Sequence, residues 1–421
     1  MAGVIIWRGK GLFVVLFFFA GLFLVDWLTG VLSSDPQFWS NNDWVPGSAM
    51  ALAGLLTWLF ARKFCPTNPR RLLDEDTGEV IVQIDKHSLF FIPIRAWAVI
   101  LPLFGVFLTF YDSSPDSPEY STSWNSRLFE EELAAPAPTE PTLFAAGLLS
   151  DGMDQRDSTL SFDQQLFLYT LKLGRQARIM TVVLNDGHWQ KPRTATFSGT
   201  WRDLEATFKP GSFELYFVSD RPLPGETEAG DFNIWVTTWA ESAWTEPQPV
   251  EDLNRDGHEF YPSLTTDGDL YYTATQEGGV GGEDIWFAKA KSDGSGFLPP
   301  VALGPGVNTA GGEFNAAIDP TGNYLIFGAA REDGPGGGDL YLSKRGETGN
   351  WQEGVLLGSE INTERLDFCP FFFGEEGEIW FTSQRFVGAP SANAGLRALR
   401  KVWQQPGNGL GDLYRVKLDL K

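Results

Sequence analysis

Cysteine, histidine and methionine are all scarce in this chain of 421 residues, which contains two, three and four of them respectively. Cys65 and Cys369 lie in segments that we expect in different compartments, so they cannot form a disulfide framework. His87, His188 and His258 do not have the spacing of metal ligands. The sequence therefore predicts neither a Cys/His metal centre nor a cofactor.

Positive charge is also in short supply. The chain has 32 Lys and Arg residues against 54 Asp and Glu, which gives a formal net charge of -22. Such an acidic protein repels phosphate backbones, which excludes nucleic acid as a partner. The G-x-S-x-G motif of many serine hydrolases is absent too. Aromatic residues (14%) and glycine (46 residues) are abundant, as in proteins built from many short strands and tight turns.

Long apolar runs occur only within residues 1–110, at 11–32, 48–61 and 88–110. A membrane helix needs about 20 mostly apolar residues, and the first and third runs reach that length. We therefore expect an α-helical membrane region of about three transmembrane helices that contacts the lipid bilayer. A secretory signal peptide is the alternative for the first run. No clear small-x-small cleavage site follows it, so an uncleaved anchor is favoured.

The distribution of Lys and Arg predicts the topology. Arg8 and Lys10 precede the first run, residues 33–47 contain no basic residue, and residues 62–86 contain five. Positively charged loops stay in the cytoplasm. This pattern predicts a protein of the bacterial inner membrane with a cytoplasmic N-terminus, and places everything after Phe110 in the periplasm or otherwise outside the cytoplasm.

Residues 111–136 are rich in Ser, Pro, Asp and Glu. A segment of this composition cannot bury enough apolar surface to fold alone, so a flexible linker is expected here. Nearer the N-terminus, residues 77–97 resemble a small uncharacterised family of bacterial membrane proteins. This resemblance implies no activity.

A repeat organises the remainder of the chain. An acid opens each copy, at Asp203, Glu259, Glu313 and Asp367, so the period is close to 54 residues. Each copy continues with an apolar strand, a turn, a second apolar strand, and a third strand that begins with a motif such as Asp-Ile-Trp at 284–286. A fixed period of this length with strand-turn-strand content indicates a propeller or solenoid. Four short strands fit in each copy, which is one propeller blade.

Three motifs resemble the TolB-like, WD-repeat-like β-propeller family of bacterial envelope proteins. They are P-S-x-x-x-D-G-x-L-Y-Y at 262–272, G-G-x-D-I-W at 281–286 and L-G-x-x-V-N-T-x-G-G-E at 303–313. The resemblance covers roughly residues 141–420. It implies the fold firmly and the function only broadly, because the family includes binding modules as well as appendages of peptidases.

Five blades are predicted. Four begin at the repeat acids, and a fainter one runs from Leu160 to Trp189. The last copy ends without an outer strand, whereas residues 140–147 match such a strand. We therefore expect an all-β five-bladed β-propeller over residues 137–421, closed by pairing of this N-terminal strand with the last blade.

The repeat acids are candidate site residues, since the first residues of innermost strands would surround one mouth of the central channel. Three of them have an arginine placed symmetrically about the hairpin turn, as Asp203 and Arg221 are about Ser212. The expected ion pairs are Asp203 with Arg221, Glu313 with Arg331, and Asp367 with Arg385. These pairs are interpreted as fastenings of the hairpins. A cation site or a set of catalytic carboxylates is the alternative.

Glu259 differs from the other repeat acids, because its symmetric position is occupied by the uncharged Gln276. With its neighbour His258 it is the preferred candidate for ligand binding at the channel mouth. The preceding string, with Asp252, Asn254 and Asp256, resembles the start of a calcium loop. Its twelfth position is a serine instead of glutamate, so calcium binding is only a weak alternative.

These features predict a membrane-anchored, non-enzymatic propeller that recognises an envelope protein or a glycan. The alternative is a five-bladed propeller glycosidase, which needs two carboxylates about 5–9.5 Å apart with different pKa values. Two unpaired carboxylates in a cleft flanked by aromatic side chains would favour the enzyme.

Overall fold

The computed structural model describes residues 7–32, 44–65, 70–73, 80–83, 87–89, 92–110, 124–373, 377–388, 399 and 402–420. The chain divides into two compact units, Met1–Pro118 and Glu119–Lys421. The first is mainly helical and the second is built from β-sheets. The predicted outer loop at 33–43 and the linker residues 111–123 lie outside the described residues.

Three helices form the core of the first unit, namely α1 (Phe13–Leu32), α2 (Trp44–Phe64) and α3 (Ile94–Phe110). Glycines allow α2 to approach both neighbours closely. A Cβ atom at Gly21 of α1 would lie 2.7 Å from the carbonyl oxygen of Ala49, and one at Gly54 would lie 2.5 Å from the ring of Pro102. A larger side chain at either position would therefore collide with the neighbouring helix.

Short strands accompany these helices. A three-stranded sheet has the order β1-β4-β5, and β2 pairs with β3. Their bounds are β1 Trp7–Arg8, β2 Arg70–Leu73, β3 Val80–Gln83, β4 Ser88–Leu89 and β5 Ile92–Pro93. A 3-10 turn, Gly9–Leu12, connects β1 to α1.

Within the described residues, one helix is long and apolar enough to cross a membrane, over Lys10–Thr29. The apolar part of α3, Ile94–Val106, is too short. Small and polar residues reduce the hydropathy of α2, which also ends on Arg62 and Lys63. The prediction of about three transmembrane helices is therefore corrected to one candidate, because apolar length alone was counted.

The second unit is a five-bladed β-propeller, as predicted. It begins with α4 (Ser126–Ala134) and β6 (Thr142–Leu143). The first blade comprises β7 (Asp154–Leu160), β8 (Leu166–Leu173), β9 (Gln176–Asn185), β10 (His188–Trp189) and β11 (Arg193–Thr194). The second blade comprises β12 (Asp203–Phe208), β13 (Glu214–Ser219), β14 (Asn233–Ala240), β15 (Ala243–Trp244) and β16 (Gln248–Pro249).

The other three blades have four strands each. The third comprises β17 (Glu259–Leu264), β18 (Leu270–Ala274), β19 (Asp284–Ala288) and β20 (Val301–Ala302). The fourth comprises β21 (Glu313–Ile318), β22 (Tyr324–Ala329), β23 (Asp339–Lys344) and β24 (Val355–Leu356). The fifth comprises β25 (Asp367–Phe373), β26 (Glu378–Ser383), β27 (Asp412–Lys417) and β6.

The core lies between the blades. Successive residues of a middle strand enter the cores on its two sides: Leu215 and Phe217 of β13 pack against the first blade, and Tyr216 packs against the third. Because both faces of a blade are covered, the middle strands are buried almost continuously and appear in the sequence as unbroken apolar runs. Each of the five junctions between neighbouring blades has one such cluster.

The ring closes as the sequence predicts. Strand β6 pairs antiparallel with β27, with Leu143 opposite Tyr414 and Thr142 opposite Arg415. The fifth blade therefore combines three strands from the end of the chain with one from the start of the unit. This leaves the ring without an unpaired blade edge at the seam.

Helix α4 corrects the predicted extent of the flexible linker. Asn125 caps the helix by accepting a hydrogen bond from the Leu128 N–H at 3.1 Å. Phe129 is fully buried and its ring lies 5.2 Å from that of Trp189 in the first blade. Arg415 donates to two carbonyls at the helix end, those of Glu132 and Ala135, each at 2.6 Å. Residues 124–136 are thus part of the propeller, because Phe129 and Leu133 share one helical face that composition alone does not reveal.

Candidate functional site

The repeat acids begin the innermost strands of four blades and are completely buried. Three of them form the predicted ion pairs, which are therefore confirmed. The nitrogen–oxygen distances are 2.7 Å for Asp203 with Arg221, 3.2 Å for Glu313 with Arg331 and 3.5 Å for Asp367 with Arg385.

The register of these pairs differs from the prediction. Asp203 lies opposite Ser219, not opposite Arg221. The pairing next to the turn is already shifted by one position, with Phe208 opposite Leu215, and the β-bulge between Leu204 and Thr207 shifts it by one more. Arg221 lies two residues beyond the paired position and turns back to the carboxylate. It also donates a hydrogen bond to the carbonyl of Phe197 at 3.0 Å. The ion pair therefore fastens the loop before the blade as well as the hairpin.

Glu259 has no ion pair among the described residues, in agreement with the prediction. Its Oε1 accepts hydrogen bonds from Gln276 Nε2 at 3.0 Å and from the Arg255 N–H at 3.2 Å, while its Oε2 has no partner. The corresponding acid of the fourth blade, Glu313, also accepts a hydrogen bond from the Thr309 hydroxyl. In the third blade Arg255 occupies the position that corresponds to Thr309, so Glu259 lacks this hydrogen bond. Burial raises the pKa of Glu259 to about 8, against the smaller effect of these two hydrogen bonds.

The other residues predicted around Glu259 have local partners. His258 Nδ1 accepts from the Phe232 N–H at 3.0 Å. Asp252 accepts from Lys291 and from the Phe297 N–H, and the amide of Asn254 bonds both backbone groups of Ile234. Asp252 and Asn254 thus hold different parts of the blade together, while Asp256 has no partner among the described residues.

A second ring of residues lies two positions after the repeat acids. Every innermost strand has a β-bulge here, and one non-glycine residue per bulge has a positive φ between 49° and 57°. A non-glycine residue rarely adopts such a backbone conformation. The recurrence of this conformation in all five blades is therefore a regular feature of the fold and not a local defect. We call these residues the channel floor: Asp157, Glu205, Tyr261, Asn315 and Cys369.

Arg156 binds three members of the channel floor. Its Nε lies 2.6 Å from Asp157 Oδ1, and its Nη2 lies 2.5 Å from Glu205 Oε1 and 3.1 Å from Cys369 Sγ. Its guanidinium group also stacks 4.8 Å from the ring of Phe368. One cation therefore neutralises and orients groups from three different blades.

Further hydrogen bonds complete the channel floor. Glu205 Oε2 accepts from the Tyr261 N–H at 2.8 Å, and Glu205 Oε1 accepts from Asn315 Nδ2 at 3.4 Å. The Tyr261 hydroxyl donates to the Pro370 carbonyl at 2.7 Å, and Cys369 Sγ donates to Asn315 Oδ1 at 3.5 Å. All five blades are linked through these contacts at the axis of the ring.

Burial shifts the pKa values of three residues of the channel floor. It raises the pKa of Glu205 to about 7, although the charge of Arg156 acts in the opposite direction. It also raises the pKa values of the Cys369 thiol and the Tyr261 hydroxyl, so both groups keep their protons. A buried neutral thiol of this kind is unreactive.

A cavity of about 390 Å³ extends from the channel floor along the axis. Glu205 and Tyr261 form its inner end, and the walls come from the innermost strands of all five blades. The hairpin turns around Gln164, Pro210 and Pro320 surround its opening. The volume lies within the range of about 300–1,000 Å³ that is typical of small-molecule sites. We call this space the axial cavity.

One arginine holds the acidic groups of the channel floor close together. One ligand atom each from Asp157, Glu205 and Cys369 lie within 4.8 Å of one another. Arg156 bonds all three, so the group does not fit a metal cation, which the guanidinium would repel. A glycosidase needs two carboxylates about 5–9.5 Å apart with room for a sugar bond between them. Here both carboxylates are held closer together by one arginine.

Sequence reasoning missed the channel floor, because its members share a position and not a residue type. The repeat acids were conspicuous as recurring Asp and Glu. The residues two positions later vary among Asp, Glu, Tyr, Asn and Cys, and only the bulge directs them to the axis. Variation at one position of otherwise similar repeats was the available signal.

The comparisons with known proteins concern the fold alone. No protein-family model matches this chain, and no curated protein matches it in sequence. The chain resembles the structure of TolB from Acinetobacter baumannii with 15% identity and a TM-score of 0.32, over 49% of this chain and 46% of that one. It therefore spans about half the length of that protein.

Two other similar structures are α-L-arabinofuranosidase from Lactobacillus brevis and a GH43 endo-arabinanase from Bacillus licheniformis. The first has 12% identity and a TM-score of 0.42, over 65% of this chain and 94% of that one. The second has 10% identity and a TM-score of 0.37, over 64% and 96%. The propeller fold rests on the strand order described above, and no sequence match supports the TolB-like family or the resemblance seen in residues 77–97.

Proposed function

We propose that this chain is a membrane-anchored propeller of the bacterial envelope that binds a ligand in the axial cavity without changing it chemically. The observation that carries the proposal is a cavity of small-molecule size whose inner end is a fully hydrogen-bonded, ion-paired network. Such a network is rigid and specific, since each member is satisfied by another. It offers a ligand fixed polar groups and a closed end.

The glycosidase alternative is favoured by one observation, the raised pKa of Glu205 at the inner end of the cavity. A general acid also needs a second carboxylate across the scissile bond, however. Asp157 does not line the cavity, and its carboxylate is bound to Arg156 and the Glu205 N–H. We therefore place binding before catalysis.

The anchor in this proposal is the candidate span Lys10–Thr29, most of which belongs to α1. The basic residues before it, Arg8 and Lys10, favour a cytoplasmic N-terminus. The propeller would then face the periplasm, where envelope proteins and glycans are the available ligands. The repeat acids and their arginines act in this view as fastenings that keep the blades, and hence the cavity walls, in place.

Photo-crosslinking in living cells tests this proposal. A photoreactive phenylalanine analogue replaces Phe162 of the full chain, which lines the cavity near its opening, and in a separate protein it replaces Thr348, which is exposed on the fourth blade. We expect a discrete adduct at 162 that disappears when Ser158→Phe fills the cavity. Absence of an adduct at 162, or an equal one at 348, would contradict binding in the axial cavity.

A further inference from the structure

The walls of the axial cavity are chemically two-sided. Ser158, Thr207 and Ser263 place hydroxyl groups on the side formed by the first three blades. Among the described residues, the fourth and fifth blades contribute apolar side chains to the lining: Ala317, Ile318, Pro320, Pro370, Phe371, Phe372 and Phe373. A ligand that fits both sides must present hydrogen-bonding groups along one edge and an apolar face elsewhere.

The hydroxyl groups have bonding capacity to spare. Neither Ser158 nor Thr207 has a side-chain hydrogen bond to any described residue. The Ser263 hydroxyl accepts from the Ile318 N–H at 2.9 Å and keeps its own proton for another acceptor. Because a half-buried polar group without a partner is unfavourable, these positions favour a ligand that supplies the missing bonds.

Among the described residues that line the cavity, no charge is left unneutralised for an ionic ligand. The charged residues of this described lining are Glu205 and Lys209. Arg156 neutralises Glu205 at 2.5 Å, and Lys209 lies 3.0 Å from Glu214. A charged ligand would lose its hydration without gaining a free counter-ion, so a neutral ligand is favoured.

We propose that the axial cavity binds the end of a neutral oligosaccharide. Sugar rings have the required two-sided character, with C–H groups on a face that packs against aromatic rings and hydroxyl groups around the edge. The ring face would contact Phe371, since Phe373 stacks on Trp380, while the hydroxyl groups bond the serine and threonine wall. The innermost hydroxyl would donate to Glu205 Oε2, whose bond from Tyr261 leaves a lone pair.

The closed end determines which part of the glycan enters. Because the channel floor links all five blades at the axis, a chain cannot pass through the ring along this cavity. A terminal residue is therefore recognised, not an internal segment. This inference rests on the proposed function and adds to it the chemical class of the ligand.

The test uses the full chain in detergent, applied to an array of neutral, acidic and amino-containing oligosaccharides and of peptides, followed by titration of each hit. We expect neutral oligosaccharides to bind and the other classes not to bind. Thr207→Val removes one hydroxyl at constant shape and should weaken binding by about threefold to tenfold. Thr207→Trp fills the cavity and should abolish binding, whereas Thr348→Val should leave the affinity unchanged.

Several outcomes would overturn this inference, and they differ from a failure of the proposed function. Binding of peptides or charged glycans that Thr207→Trp abolishes would keep the axial cavity as the site and reject the ligand class. Binding of neutral glycans that is indifferent to Thr207→Trp would place the site elsewhere. Absence of any hit, together with an adduct at position 162 in cells, would reject the oligosaccharide alone. Thermal unfolding of each variant separates lost binding from lost folding.

Discussion

At the residue scale, the repeat acids occupy equivalent positions but differ in their charge and in their partners. In three blades the buried acid has an arginine within 3.5 Å, and removal of the acid would leave that arginine uncompensated. In the third blade the arginine is missing and burial raises the pKa of Glu259 to about 8. Glu259 is therefore a neutral carboxylic acid near pH 7, and the blade tolerates it because no charge has to be paired.

The first prediction concerns the pH dependence that Glu259 confers. Its pKa rises from 4.5 to about 8 on folding, so the folded chain holds this proton where the unfolded chain releases it. The free energy of unfolding should therefore fall as the pH rises between 4.5 and 8, by at most about 1.4 kcal/mol per pH unit from this group. Glu259→Gln should remove that contribution, as measured by denaturant unfolding of both proteins from pH 5 to 9.

A matched control is available in the neighbouring blade. Glu313→Gln leaves Arg331 without its carboxylate and should destabilise the chain by about 1–3 kcal/mol across the same pH range. If Glu259→Gln instead destabilised the chain as much as Glu313→Gln does, Glu259 would have an ionic partner and the account of it would be wrong.

The second prediction concerns Arg156, which bonds two buried carboxylates. Arg156→Met should cost about 3–5 kcal/mol, because it leaves uncompensated charge in the interior. The double variant Arg156→Met/Glu205→Gln should recover part of that loss, since one of the two charges is removed as well. A double-mutant cycle by denaturant unfolding measures the coupling, and strictly additive effects would contradict the contact.

Sequence reasoning succeeded for the ion pairs and failed for the channel floor for one physical reason. Symmetry about a hairpin turn identified the partners Asp203 and Arg221, because long side chains reach across a small error of register. The same counting assumed regular pairing and so did not include the bulge that turns Asp157 and Glu205 towards the axis. The positive φ angles at these bulges cannot be inferred from the residue types, because the residues are not glycines.

At the element scale, α4 and β6 connect the two ends of the propeller. Strand β6 fills the last blade, and α4 lies beside it with Phe129 among the rings of Phe144, Phe167 and Trp189. The strand was predictable because it completes a pattern whose other copies are visible. The helix was not predictable, because its two buried apolar residues, Phe129 and Leu133, lie in an acidic, proline-rich segment whose composition is typical of a linker.

The third prediction tests the helix. Phe129→Ala should cost about 3–5 kcal/mol, because it empties a fully buried site at the seam between the first and last blades. Leu128→Ala on the exposed side of the same helix should cost less than about 1 kcal/mol. Equal effects in thermal or denaturant unfolding would show that α4 does not pack as described.

At the scale of the whole molecule, each blade gains its stability from its neighbours. Five clusters of buried side chains lie at the five junctions, so a ring that is opened at any junction loses one of them. The fold was predictable because this arrangement repeats. The N-terminal unit has no such repeat, and counting apolar length alone overestimated its number of candidate spanning helices.

The fourth prediction concerns the side of the membrane. Alkaline phosphatase fused after residue 421 should be active, and green fluorescent protein at the same position should be dark, since the proposal places the propeller outside the cytoplasm. The reverse pair of results would contradict that placement. It would leave the cavity and its floor unaffected, because these depend on the propeller alone.

Ligand binding in the axial cavity is the central claim, and hydrogen exchange tests it most directly. The full chain in detergent is compared with and without solubilised envelope from the same cells. We predict slower exchange in the turns at the cavity opening, residues 162–164 and 209–211, and no change there in the Thr207→Trp variant. Slower exchange confined to the outer strands β20 and β24, or persisting unchanged in Thr207→Trp, would contradict the claim.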